Sequence, residues 1–154
     1  MSSELAEGRK LMPSQRLRTF AQNYGWSCQS KKNGSSQTLA GVVCRTNVPD
    51  RLELTVFRNK RALERAYLAQ LQRTHISRDS GGCKAGAWRG EVEWFHGVGE
   101  RGGRAFCYLS EATQRSYVTW TSDAGTPILG VARLDSLLHR RLFFWWSSVR
   151  HDIV

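Results

Sequence analysis

Four cysteines, Cys28, Cys44, Cys83 and Cys107, are the side chains of this 154-residue chain best suited to covalent chemistry. No two are separated by only two residues, which excludes a zinc knuckle and a thioredoxin-type redox motif. Cys28 and Cys83 sit beside polar or Gly-rich segments (Gly25-Trp26-Ser27-Cys28 and Ser80-Gly81-Gly82-Cys83), whereas Cys44 and Cys107 lie in strand-like runs (Val42-Val43-Cys44 and Ala105-Phe106-Cys107-Tyr108). Three connectivities are open to four cysteines. The repeated context favours Cys28 with Cys44 and Cys83 with Cys107, and hence an oxidising, extracytoplasmic compartment. Four free thiols would instead place the chain in the cytoplasm.

The other chemistry-bearing residues are dispersed. Of His75, His96, His139 and His151, only His96 is near carboxylates, Glu91 and Glu93. Strand alternation puts those two acids on one face with Phe95, and Val92, Trp94 and His96 on the other. A nuclease built from His96, His75 and Arg104 has suitable acid/base and phosphate-stabilising groups, but no spacing demands it. There is no phosphate loop, no dinucleotide fingerprint and no His pair at metal spacing. The expectation is a non-catalytic protein without cofactor or metal.

Six tryptophans offer a different chemistry. Trp120, Trp145 and Trp146 fall in regular elements and are read as core, with Trp145 the inward member of the adjacent pair. Trp26, Trp88 and Trp94 flank the Cys-bearing loops. With Lys84 and Arg89 they could present a stacking surface for a sugar, peptide or base; packing against the disulfides is the competing role.

The net charge of +10 and the pI of 10.1 raise polyanion binding. The excess lies in the first half: residues 1–80 hold 14 basic and 6 acidic side chains, residues 81–154 hold 9 and 7. Lys31-Lys32 and Arg58-Asn59-Lys60-Arg61 are the densest clusters. A solvated basic surface explains them without a site, so weak, sequence-indifferent polyanion binding is expected.

The elements that must position these residues follow from periodicity. Residues 1–12 are expected to be a flexible extension and residues 13–154 a single domain. Leu17, Phe20, Ala21 and Tyr24 predict a helix from Pro13 to Gly25. Cys28–Gln37 reads as a polar hairpin or loop, and Thr38–Arg45 and Leu52–Phe57 as strands. Asn59 caps a helix over Lys60–Arg73, whose stripe is Ala62, Leu63, Ala66, Tyr67, Gln70 and Leu71. Gly90–His96, Arg104–Leu109 and Ser116–Ser122 read as strands, with a turn over Gly97–Gly103. Pro127–Arg133 leads to Asp135 as the cap of a last helix with Leu138, Leu142, Trp145 and Val149 inward. The pattern is α+β, a mainly antiparallel sheet with helices on one face, and the two halves align as divergent strand-strand-helix repeats. The longest apolar run, Leu142–Trp146, is far short of the roughly 20 residues that span a bilayer, and Met1–Lys10 lacks a signal-peptide core.

Gly103-Arg104-Ala105-Phe106-Cys107-Tyr108, Tyr117-Val118-Thr119-Trp120-Thr121-Ser122-Asp123, Leu129 through Asp135 and Leu142-Phe143-Phe144-Trp145-Trp146 resemble the extracytoplasmic C-terminal domains of actinobacterial membrane-anchored Ser/Thr protein kinases and related envelope proteins. Cys28, Val43-Cys44, the strand ending at Phe57, and Ala62-Leu63 with Ala66-Tyr67 extend the likeness over roughly residues 14–149. The resemblance implies an envelope-facing binding or sensor module, for a cell-envelope ligand or partner protein, whose signal or membrane anchor is absent from this chain. It supplies no catalytic residue. The competing function is a cytosolic, basic nucleic-acid-binding protein.

Overall fold

The structure is a computed structural model and describes residues 13–32 and 35–153. The expected extension over residues 1–12 lies outside the described residues. Helix α1 spans Pro13–Asn23, strand β1 Ser27–Ser30, β2 Thr38–Arg45 and β3 Arg51–Phe57; helix α2 spans Lys60–Thr74. Strands β4 (Gly90–Gly97), β5 (Glu100–Ser110), β6 (Arg115–Ser122) and β7 (Ile128–Leu134) follow, and helix α3 covers His139–Val149. All seven strands form one antiparallel sheet in the order β1-β2-β3-β7-β6-β5-β4. The α+β class is as expected.

The layering differs from the expectation of helices on one face. Leu52, Leu54 and Val56 of β3 and Ile128, Ala132 and Leu134 of β7 point to one face and pack with Leu17 and Ala21 of α1 and Leu142, Trp146 and Val149 of α3. Phe57, Leu129 and Phe106 point the other way and meet Ala62, Leu63, Tyr67 and Leu71 of α2. The cause lies in the central strand β7, whose Ile128–Ala132 stretch is apolar on both faces and needs cover on both. The repeat is also less regular than expected. Strand β7 stands between β6 and α3, with no counterpart between β3 and α2.

Local chemistry explains the element ends. The Asn59 side chain accepts from the Ala62 amide at 2.9 Å, the expected cap of α2. Asp135 does not cap α3. Its carboxylate takes Arg115 at 3.1 Å and Arg133 at 2.8 Å, and Leu138 occupies the N-cap position without a side-chain bond. The segment expected as a hairpin or loop contains β1, in which Cys28 lies directly opposite Cys44. The turn expected over residues 97–103 is shorter, because β5 already begins at Glu100. Gly102 belongs in that strand for want of space: a Cβ there would lie 2.2 Å from the Trp94 ring.

Two disulfides, Cys28–Cys44 and Cys83–Cys107, are present and leave no free cysteine among the described residues. The second ties the loop before β4 to the buried centre of β5. Replacing Cys83 and Cys107 together by Ala is expected to lower the unfolding free energy by about 3 kcal/mol, the chain-entropy value for a loop of this size. Urea unfolding of the two proteins measures it.

Candidate functional site

The α2 face of the sheet carries a groove along one flank of the helix. Tyr67 and Leu71 turn into the core, which leaves Ala66, Gln70, Arg73 and Thr74 to form the groove's helical wall. Its floor is set by strand alternation. Cys107 and Val118 face the α1/α3 side, so Tyr108 and Tyr117 face α2; they are direct cross-strand partners and stack with centroids 4.8 Å apart. Phe106 extends the row, its ring 6.4 Å from Tyr108.

The groove has two halves. One, of about 340 Å³, has Phe106, Tyr108, Tyr117, Thr119 and Val131 beneath Arg73 and Arg89. The other, of about 350 Å³, has Thr38, Thr55, Phe57 and Leu129 beside Lys31 and Lys32. Gln70 borders both. Four cations line the two halves, and no Asp, Glu, His or Cys does among the described residues. Lys31 is the most constrained cation, donating to Thr55 at 2.8 Å and to Glu53 at 3.2 Å. Burial alone would push the Glu53 carboxyl up; Lys31 and Arg51 hold it below its ordinary value instead.

The other flank of α2 carries a buried ion pair. Glu91 on β4 is fully buried, and Arg104 on β5 reaches both of its carboxylate oxygens at 2.7 Å. The Tyr67 hydroxyl donates to Glu91 at 2.7 Å and the Asp79 amide at 2.9 Å, while Arg104 also bonds the Asp79 carboxylate. Burial opposes the ionised carboxyl, but Arg104, the Asp79 amide and Tyr67 together bring Glu91 below its ordinary value. Burial and the Glu91 contact push the Tyr67 hydroxyl up. Every group in this cluster is spent on another, so it braces the groove wall without offering a free acid or base.

The residues marked out by the sequence occupy several places. Arg89 lines the groove, and Lys84 is exposed on the loop before β4. Trp88 and Trp94 are buried in the α1/α3 core, their indole N–H groups donating to the Tyr117 and Thr121 carbonyls at 3.1 and 2.9 Å. Neither ring forms part of the groove. Trp26 is half-buried on that opposite side, stacked on Tyr24 at 4.8 Å and 6.0 Å from Trp145, where the three border a separate cleft with Arg45.

His75, His96 and Arg104 are not brought together. His75 is the left-handed C-cap of α2, Arg104 is held by Glu91, and His96 Nδ1 lies 3.2 Å from His151 Nδ1. Burial, then the Arg150 charge and His96, pushes His151 down, against the pull of Asp152. His139 stacks against Trp88 with its Nε2 3.0 Å from the Ala85 carbonyl oxygen.

Sequence reasoning missed Gln70, Arg73, Tyr108 and Tyr117. A signal for the tyrosines existed: each neighbours a small or aliphatic residue, Cys107 or Val118, that strand alternation sends to the opposite face. No helix among the described residues is long and apolar enough to cross a membrane. No family model matches the chain, and no curated protein and no solved structure matches it.

Proposed function

We propose that this protein is a non-catalytic, extracytoplasmic binding or sensor module that takes a cell-envelope ligand in the groove beside α2. The observation that carries the reading is the lining itself: the stacked, half-buried Tyr108 and Tyr117 beside the buried Phe106, under Arg73 and Arg89, with no carboxylate among the described lining residues. Tyrosine faces stack on the apolar face of a sugar ring, and guanidinium groups bind carboxylate or phosphate in a forked geometry. The two disulfides support an oxidising compartment, as does the resemblance to the extracytoplasmic C-terminal domains of membrane-anchored kinases.

A disaccharide bearing one carboxylate, of the muramic-acid type, tests this by calorimetric titration. Arg89→Ala is expected to weaken binding about tenfold, the equivalent of one charge-assisted hydrogen bond, and Tyr117→Ala comparably. Unchanged affinity in both variants would refute the groove as the ligand site. The nucleic-acid reading draws on the +10 charge. It requires affinity for single strands that falls steeply with salt and reaches the submicromolar range at physiological ionic strength.

A further inference from the structure

The groove's two halves share Gln70 and stand over neighbouring residues of one sheet face. Leu129 lies beneath the lysine half and Val131 beneath the arginine half; they are alternate residues of β7, so both face α2. Gln70 borders both halves from above. From Thr38 on β2, through Thr55 and Phe57 on β3, Leu129 and Val131 on β7, and Tyr117 and Thr119 on β6, to Phe106 and Tyr108 on β5, the floor crosses five adjacent strands. Four inter-strand spacings make that about 19 Å, a length of roughly four linked pyranose rings.

The charges mark the two ends. Lys31 and Lys32 stand at the β2/β3 end and Arg73 and Arg89 at the β5/β6 end, with aromatic rings, threonine hydroxyls and the Gln70 amide between them. A small anion would need only one of these pairs. A groove with cations at both ends, hydrogen-bonding side chains between and stacking faces at one end complements a chain whose anionic groups recur along its length. From this we infer that the two halves form one site for a linear acidic glycan, a polysaccharide segment with a carboxylate or phosphate on its repeating units. The inference rests on the binding function proposed above and names the ligand class and span for that same groove.

Galacturonic acid oligomers of two and six units separate the length claim from the function itself. The hexamer is expected to bind at least tenfold tighter than the dimer. Lys31→Ala/Lys32→Ala should remove most of that gain, because the hexamer then loses the cations at one end of the floor. Lys32→Ala by itself spares the Lys31 contacts to Glu53 and Thr55, and a partial loss in that variant guards against a double variant that unfolds.

A hexamer no tighter than the dimer, while the dimer still binds, would overturn the extended site and leave the binding function standing. Binding by neither oligomer, when the muramic-type disaccharide does bind, would overturn the acidic-glycan class alone. Failure of all three ligands removes the binding function as well. A methyl-esterified hexamer bound as tightly as the acid would overturn the role of charge. An oligomer of glycerol phosphate distinguishes a phosphate-bearing glycan polymer from a carboxylate-bearing one, and tighter binding of hexauridylate than of either would overturn the glycan assignment.

Discussion

Arg104→Ala should lower the unfolding free energy by about 3–5 kcal/mol, the cost of leaving a buried charge without its partner. Glu91 is fully buried and Arg104 nearly so, the side chains retaining 0% and 14% exposure, so water cannot readily replace the guanidinium. Tyr67 and the Asp79 amide would still donate to Glu91, which keeps the loss finite. Glu91→Leu in the Arg104→Ala background should recover part of it, because replacing both charges by apolar groups is often tolerated where removing one is not.

The same pair gives a pH dependence of known sign. The Glu91 carboxyl lies below its ordinary value of 4.5 in the folded chain. Its contribution is therefore complete above the unfolded-state value and disappears as the pH falls through the lower, folded-state one. Urea midpoints measured from pH 6 to pH 2 should fall less steeply for Glu91→Gln than for the native chain. Equal slopes would show that Glu91 is not held ionised by Arg104.

How much of this was legible varies with the distance over which the cause acts. The bounds of β2 and the Asn59 cap of α2 depend on neighbours a few residues away, and both are legible in the sequence. The alternation of β4 correctly sends Glu91 and His96 to opposite faces. The division of the helices between two faces was written in β7, whose Ile128-Leu129-Gly130-Val131-Ala132 is apolar without interruption, the signature of a strand covered on both sides. Gly130 fits that position because a Cβ would come within 2.4 Å of the Trp120 ring.

The groove lay beyond such reasoning. Its cations come from the segment after β1, from α2 and from the residue before β4, and only the strand order brings Lys31 and Arg89 onto opposite ends of one floor. The polarity of Ser27–Ser30 likewise hid an edge strand held by the Cys28–Cys44 bond and by pairing with β2.

Trp146→Ala is expected to cost about 3–5 kcal/mol, as for other large aromatic deletions in a core, and Trp145→Ala only about 1–2 kcal/mol. This reverses the order that periodicity implied. A stripe of Leu138, Leu142, Trp145 and Val149 assumes that the helix already includes Leu138, but α3 begins at His139 and Leu138 is 64% exposed at its cap. The inward line is Leu142, Trp146 and Val149, continued by Ile153 beyond the helix end. Adjacent residues stand about 100° apart on a helix, so moving the stripe by one position exchanges the roles of the two tryptophans.

Trp146 is 1% exposed, and the Arg150 guanidinium lies over its ring, 4.3 Å from the centroid. Trp145 is half-buried at the margin, 6.1 Å from the Trp120 ring and 6.0 Å from Trp26. Trp146→Phe should fall between native and Ala, since it keeps part of the apolar area and weakens the cation–π contact. Denaturant unfolding of the three variants decides the assignment. Equal losses for Trp145→Ala and Trp146→Ala, or a larger loss at Trp145, would mean that α3 presents its other flank to the sheet, and that the Arg150 contact does not lie over a core residue.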